Sequence, residues 1–142
     1  GAPYWDADAR GLICGLTRGT TKAHLARATL EGIAHQVADL LDAMAEDLGA
    51  PLAKMRVDGG AAANQLLLEE QAMLAGLSIE RPHELETTAR GAAMLAAVGA
   101  GLFENKQAAA QMAPIEKTFT PSLDERRVAA RKAWKAAVAR AR

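Results

Sequence analysis

Apolar positions recur at steps of three and four after residue 21, and this spacing predicts a long amphipathic helix. The repeat runs over residues 22–48, with Thr20 or Thr21 as the N-cap and Gly49 just beyond the end. Its apolar members are Leu30, Ile33, Val37, Leu40, Leu41, Met44 and Leu48. Residues 1–19 lack such a repeat and are predicted to form a loop that leads into the helix.

The pattern then changes to short segments that alternate between strand and helix. The strands are predicted over residues 52–57 and 78–81, and the further helices over 64–77, 89–100 and 122–141. Alternation of this kind is typical of an α/β layer fold. Because a sheet normally has about five strands, we expect partner strands upstream of residue 1, in a longer protein.

Capping residues and small residues predict where the later helices begin and how they pack. Thr87 or Thr88 is expected to cap the helix over 89–100, whose many Ala and Gly residues predict a closely packed neighbour. Residues 103–121 are predicted to be irregular, apart from a turn of helix at 106–112. In the last helix Ser122 and Glu125 fit a capping box. A buried stripe is predicted at Val128, Trp134, Val138 and Ala141.

Composition and charge remove several classes of protein. The chain has 34 Ala against 5 Val and 4 Ile, which argues against an all-β fold. Its formal net charge of zero disfavours a basic nucleic-acid binder, and its 50% apolar content excludes a disordered acidic chain. No apolar run predicts a membrane span, and the single cysteine fits a reducing cytoplasm.

The segment Val57-Asp58-Gly59-Gly60-Ala61-Ala62-Ala63-Asn64 lies between a predicted strand and a predicted helix. Glycines permit unusual backbone angles and close approach of a ligand, and the following helix directs free N–H groups toward the turn. Ligands of open α/β sheets bind at this end of the strands. Judged from these residues alone, a tight turn without a ligand is the simpler interpretation, and a nucleotide site is the alternative.

Three other features have a functional interpretation that we weigh below a structural one. Residues 15–21 could hold a phosphate but are expected to be a capped helix start. Residues 87–93 could leave room for a nucleotide, or simply allow close helix packing. Residues 122–142 contain seven Lys or Arg and two Asp or Glu, which suits an anionic partner or, as we favour, a solvated helix face.

The residues that carry metal or covalent chemistry do not cluster. His24, His35 and His83 have no metal-ligand spacing, and Cys14 is expected to be a buried small residue rather than a nucleophile. Asp58 could face a metal or substrate, or could equally form the turn.

Taken in order, five segments resemble the FGGY carbohydrate kinases, and among them the glycerol kinases. They are Gly1-Ala2-Pro3-Tyr4-Trp5-Asp6, Gly15-Leu16-Thr17-Arg18-Gly19, Arg56 to Asn64, Glu80-Arg81-Pro82 and Thr87-Thr88-Ala89-Arg90-Gly91-Ala92-Ala93. The resemblance covers essentially the whole chain. It implies the C-terminal half of the second FGGY domain, which is ribonuclease H-like (an actin-like ATPase fold). Residues 1–142 are then one partial domain with a C-terminal helix at 122–141.

The resemblance also implies a site and a reaction. Gly60 and Asn64 match positions that contact the adenine nucleotide, with Gly59 and Ala61 beside them. The parent enzyme is expected to phosphorylate glycerol to sn-glycerol 3-phosphate with ATP and Mg²⁺. No residue here matches the catalytic base or the glycerol contacts, so we assign no catalytic or metal-binding residue and expect the chain alone to be inactive.

Partners and alternatives follow from the same resemblance. We expect the remainder of the kinase chain and a homo-oligomer as partners, in the cytoplasm, without nucleic acid or membrane. Another FGGY kinase, such as a xylulokinase-like enzyme, is one alternative. A non-catalytic actin-like module that binds nucleotide is another.

Overall fold

A computed structural model describes residues 3–122 and 125–142, which form five α-helices and three β-strands. The helices are α1 (Lys22–Leu48), α2 (Gln65–Ala75), α3 (Thr87–Gly99), α4 (Lys106–Ala109) and α5 (Arg126–Ala141). The strands are β1 (Lys54–Arg56), β2 (Ser78–Pro82) and β3 (Ile115–Phe119), and 3₁₀ turns cover Gly60–Ala63 and Ala110–Met112. The predicted α/β class is confirmed. Among the described helices, none is long and apolar enough to cross a membrane.

Helix α1 has the ends that the sequence predicts. Thr21 is the N-cap, and its backbone N–H donates to Nδ1 of His24 at 3.0 Å. Gly49 ends the helix with a left-handed φ of 65°, the conformation that glycine adopts at low cost. Along its surface α1 is tied to α2 by an ion pair between Arg27 and Glu70.

The three strands form one mixed sheet in the order β1-β2-β3. β1 runs parallel to β2 and places Met55 beside Ile79, whereas β3 runs antiparallel and places Phe119 beside Ile79. These three side chains belong to one apolar cluster with α2. β1 is shorter than predicted, because it begins two residues after residue 52 and ends one residue before residue 57.

β3 lies in the segment that we predicted to be irregular, and that prediction is wrong. Its local pattern is weak, because Phe119 is its single buried residue and Ile115 is exposed. Pro114 and Pro121 flank it, and both residues are typical of loops. The strand forms through its pairing with β2, which is distant in sequence. The predicted turn of helix at 106–112 is confirmed as α4 and the second 3₁₀ turn.

The core is built in layers, with α2 between the sheet and α1. One cluster joins α2 to the sheet and to Leu41 of α1, and its buried members are Leu41, Leu68, Ala72, Leu77, Ile79 and Phe119. A second cluster joins α1 to α2, and its buried members are Ala34, Ala38, Leu67, Met73 and Leu74. Ala34 and Ala38 are completely buried, so small side chains on α1 allow α2 to approach closely.

Helix α3 differs from its prediction at its start and along its surface. Glu86 takes the N-cap position, and Thr87 is the first helical residue, so neither predicted threonine is the cap. No residue of α3 is buried, and a Cβ built at Gly91 or Gly99 would meet nothing within 4 Å. The predicted close neighbour is therefore not found among the residues that the structure describes.

Helix α5 begins at Arg126 with Glu125 at the N-cap position, so the predicted start at Ser122 is wrong. Leu123 and Asp124, inside the predicted capping box, lie outside the described residues. The predicted stripe is wrong at Val128, which is 75% exposed, whereas Trp134, Val138 and Ala141 are partly buried.

Polar contacts of two arginines dock α5 onto the other helices. Arg127 donates to the carbonyls of Leu74 and Ala75 at 3.1 and 3.0 Å, which caps the end of α2. A Cβ built at the next residue, Gly76, would lie 2.5 Å from the Arg127 guanidinium. Arg131 donates to Asp39 of α1 at 2.6 Å. Arg127 and Arg131, two of the seven basic residues in 122–142, therefore make contacts within the fold.

Candidate functional site

The glycine turn follows the carboxyl end of β1 and leads into α2, as the sequence predicts. Gly59 adopts φ 78° and ψ 175°, a conformation that side chains disfavour. Gly60 then begins the 3₁₀ turn, and its φ lies outside the left-handed region. Only the first glycine is therefore required by the backbone angles.

The residues predicted to contact a nucleotide lie at the surface of this turn. Gly60, Ala61 and Asn64 are exposed, and Gly59 is partly exposed. A Cβ built at Gly59 or at Gly60 would meet no protein atom within 4 Å. Glycine at the second of these positions is thus explained neither by strain nor by packing against the described protein, and close approach of a ligand is a reason that remains.

Asn64 serves as the N-cap of α2. Its Oδ1 accepts a hydrogen bond from the backbone N–H of Leu67 at 3.1 Å. The oxygen of the amide is therefore engaged, while the amide group can still offer its N–H donors to a ligand. The amino end of α2 adds a partial positive charge at the same place. The turn thus presents exposed backbone and amide donors together.

Two hydrogen bonds, one to Leu85 in the loop after β2 and one from Thr87 at the start of α3, hold the front of the turn. The backbone N–H of Gly59 donates to the carbonyl of Leu85 at 2.9 Å. The hydroxyl of Thr87 donates to the carboxylate of Asp58. Asp58 therefore acts as a turn former, which was one of the two roles considered for it. Thr87, from the segment of small residues at 87–93, lies beside the candidate site.

Sequence reasoning missed one residue that touches the turn. Arg81 of β2 donates from Nη1 to the carbonyl of Ala62 at 3.3 Å, and its side chain is 13% exposed. In the sequence, the Glu80-Arg81-Pro82 segment contributes only to the resemblance. Partial burial of the arginine becomes apparent only in the structure, because the strand pattern alone does not show where the guanidinium lies.

The other candidate features lie apart from the turn or are structural. In residues 15–21, the N–H of Thr17 donates to the hydroxyl of Thr20 at 2.9 Å, a local turn just before α1. Cys14 is exposed, so the expectation that it is buried is wrong. His35 is buried and stacks on Trp134 with ring centres 4.9 Å apart. Within the described residues, no three His, Cys, Asp or Glu side chains form a group that could hold a metal.

A cavity of about 570 Å³ lies between residues 4–12, α1 and α5. None of the four predicted site residues lines it. It is open to solvent, and its walls combine small residues such as Ala28 and Gly32 with charged side chains such as Asp6, Arg10 and Arg142. The residues that the resemblance assigns to the nucleotide lie outside this cavity, at the glycine turn, which is therefore the candidate site.

Comparisons with known proteins agree with the resemblance. Residues 1–100 match the FGGY family of carbohydrate kinases, C-terminal domain. The chain is 52% identical over 141 residues to a glycerol kinase of Halorhodospira halophila, covering 99% of this chain and 28% of that protein. It is 54% identical over 143 residues to a glycerol kinase of Aromatoleum aromaticum, covering 100% and 29%. The chain thus spans less than a third of the length of these relatives.

Solved structures show the same likeness in three dimensions. The crystal structure of Plasmodium falciparum glycerol kinase with ADP gives a TM-score of 0.89 at 31% identity, covering 99% of this chain and 28% of that chain. A xylulose kinase from Lactobacillus acidophilus gives a TM-score of 0.72 at 26% identity, covering 98% and 28%. The fold of the chain is therefore shared along nearly its whole length.

Proposed function

The chain belongs to the FGGY family of carbohydrate kinases, and we propose that it contributes part of the adenine-nucleotide site of a glycerol kinase. It has the fold of the C-terminal portion of these actin-like ATPases. The proposed reaction moves the terminal phosphoryl group of ATP to a terminal hydroxyl of glycerol, which gives sn-glycerol 3-phosphate and ADP. Catalysis of such transfers depends mainly on positioning and charge stabilisation.

The observation that carries the proposal is the open glycine turn. Gly59, Gly60 and Ala61 offer backbone that a nucleotide can approach closely, and Asn64 offers amide donors at the start of α2. The ADP in the Plasmodium falciparum structure supports nucleotide use by a protein of the same fold. We assign these four residues to the adenosine end of the nucleotide.

This chain supplies positioning and no proton transfer in the proposed reaction. Asp58 is the acid nearest the turn, and its carboxylate accepts from Thr87. Mg²⁺ neutralises phosphate charge in such kinases. Among the described residues no group of three His, Cys, Asp or Glu side chains could hold a metal, and we derive no step through the ion. The chain alone is therefore proposed to be inactive.

Glycerol is favoured over a pentulose because of the difference in identity. Among the solved structures, the glycerol kinase has a TM-score of 0.89 at 31% identity, against 0.72 at 26% for the xylulose kinase. The glycerol kinases of two bacteria are 52% and 54% identical to this chain. A non-catalytic nucleotide-binding module would need the same turn, so the turn alone does not separate it from an enzyme. The remainder of the kinase chain is a proposed partner. A homo-oligomer and a cytoplasmic location stay predictions.

The test is a kinase assay on the full-length protein and on the isolated chain. We expect the full-length protein to release ADP from ATP when glycerol is present, and less with xylulose. The isolated chain should give background rates. Equal rates with and without glycerol in the folded full-length protein would favour the non-catalytic module. Turnover by the isolated chain would refute its assignment as a partial site.

Asn64→Ser tests the site within the same assay. Serine is an N-cap of comparable strength, so α2 should keep its stability. The variant loses the amide donors, and loss of one neutral hydrogen bond corresponds to roughly a two- to tenfold rise in KM for ATP. KM for glycerol should stay near its original value. An unchanged KM for ATP in the folded variant would remove Asn64 from the site.

A further inference from the structure

Arg81 links β2 to the glycine turn across 19 residues of sequence. Its Nη1 donates to the carbonyl of Ala62 at 3.3 Å. Ala62 is 2% exposed and is the buried residue of the 3₁₀ turn, two positions before Asn64. A side chain that binds this carbonyl therefore acts on the half of the turn that leads to Asn64.

The guanidinium of Arg81 is held on its other sides as well. Its Nε donates to the carboxylate of Glu116 at 2.9 Å, and its central carbon lies 5.5 Å from the ring centre of Phe119. A planar guanidinium that is paired with a carboxylate and lies against an aromatic ring has little conformational freedom. Arg81 thus forms a rigid connection between β3 and the turn.

The strand pairing itself directs this arrangement. Arg81 lies opposite Lys117, but the next residue, Pro82, lies opposite Ile115. Glu116 is therefore an extra residue on β3, which makes a bulge at this point. Bulges change the direction of the side chains around them, and here the extra residue supplies the carboxylate that pairs with Arg81.

The front and rear of the turn are held by different groups. Leu85 and Thr87 bind the front, at Gly59 and Asp58. Behind them, the 3₁₀ turn has its own short-range bonds, including that from the Ala62 N–H to the Gly59 carbonyl at 3.0 Å. Arg81 provides the side-chain contact to the carbonyl of the same residue, Ala62.

We propose that Arg81 is a positioning residue for nucleotide binding. By fixing the carbonyl of Ala62, it holds the segment from Gly60 to Asn64 in the geometry that receives the adenine nucleotide. It acts through the backbone of the turn and does not itself take part in the reaction. The inference rests on the proposed nucleotide site at this turn.

The experiment uses Arg81→Met in the full-length protein and measures two properties. Amide hydrogen exchange without nucleotide reports on the turn itself, and residues 59–64 should exchange faster in the variant. Titration with ADP reports on binding, and the loss of one hydrogen bond that shapes the site predicts affinity weaker by about three- to tenfold. KM for glycerol should be unchanged, which a general loss of structure would not allow.

Two further variants keep the experiment decisive. Glu116→Gln is the matched control, because glutamine still offers an oxygen to Arg81, so exchange at 59–64 and ADP affinity should stay near those of the unmodified protein. Arg81→Lys is the second test if Arg81→Met does not fold. It keeps a charge and an aliphatic stem beside Phe119 but lacks the planar fork, so we expect effects in the same direction and smaller.

The outcomes distinguish a failure of the proposal for Arg81 from a failure of the proposed nucleotide site on which it rests. Faster exchange at 59–64 together with weaker ADP binding in the folded variant supports it. Two results would overturn the proposal for Arg81, provided that Gly60→Ala weakens ADP binding in the same protein. One is unchanged exchange at 59–64, and the other is faster exchange with unchanged ADP affinity. If Gly60→Ala also leaves ADP affinity unchanged, the proposed nucleotide site is refuted, and this inference falls with it.

Discussion

Gly60→Ala is the sharpest test of the candidate site, because the structure gives the added methyl group no protein neighbour. A Cβ built at Gly60 meets nothing within 4 Å, and the φ of this residue lies outside the left-handed region. Replacing glycine by alanine under these conditions changes stability by about 0.4–1 kcal/mol in the favourable direction, through the unfolded chain. The folded protein should therefore be as stable as before, or slightly more so.

Binding of ATP to Gly60→Ala should become weaker, although the stability of the protein is kept. If the adenosine moiety passes against the backbone at Gly60, the new methyl group occupies space that the ligand needs. A loss of about 1.4 kcal/mol raises the apparent KM for ATP about tenfold, and we expect a change of at least this size. KM for glycerol should move little, because no residue of this chain is assigned to glycerol. Steady-state kinetics and thermal unfolding are measured on the same preparations.

Gly59→Ala is the matched control at the neighbouring position. Its φ of 78° and ψ of 175° form a conformation that is essentially restricted to glycine and costs other residues about 1–3 kcal/mol, so this variant should melt earlier than the unmodified protein. The pair thus separates strain from ligand contact. An unchanged KM for ATP in folded Gly60→Ala would refute the close approach of nucleotide to this turn, whatever Gly59→Ala does.

Two further predictions concern the contact between α1 and α5. Burial, and then the nearby Arg131, lower the pKa of His35, so the unfolded chain binds its proton first as the pH falls. This part of the stability is complete above about pH 6.5 and declines below it. His35→Phe should flatten that decline in urea unfolding series, and the exposed His83→Gln should not; equal slopes in all three proteins would contradict this reasoning. Arg131→Met should cost about 3 kcal/mol, because the buried carboxylate of Asp39 loses its cationic partner and keeps the hydrogen bond from Nε1 of Trp134. The exposed Arg140→Met should cost under about 0.5 kcal/mol, and similar losses in both would be the contrary result.

The sequence predicted those helix ends and turns that are determined by residues adjacent in the chain. The left-handed glycine at 49 ends α1 where the spacing of apolar residues stops, and the one at 76 ends α2 at Ala75, two residues before the predicted end at 77. The turn between β1 and α2 was predictable for the same reason, since two adjacent glycines interrupt a strand and an asparagine begins a helix. The sequence did not show which of the two glycines in this turn has a positive φ, and in the structure it is Gly59 and not Gly60.

Contacts between distant residues were not predictable in this way. β3 depends on pairing with β2 and has one buried side chain, so its own pattern is too weak to indicate a strand. The docking of α5 was predicted as apolar, yet Arg127 and Arg131 make its most specific contacts. Arginine buries its aliphatic stem while its guanidinium binds, which a division into apolar and charged residues does not represent. For the same reason, the sequence pattern did not indicate the contact that Arg81 makes with the glycine turn.

The apolar surface of the chain bears on the proposed partner. The large side chains that are more than half exposed include Trp5, Ile13, Leu16, Leu48, Leu95 and Leu102. A partner that covered these side chains would remove their apolar surface from water. Because the chain spans 28% of its glycerol kinase relative, the remainder of such a kinase is the partner that we propose for it. Part of the folding free energy would then come from residues outside this chain, so substitutions in the turn should be compared in the full-length protein, where a change in KM is not confounded by the loss of that contact.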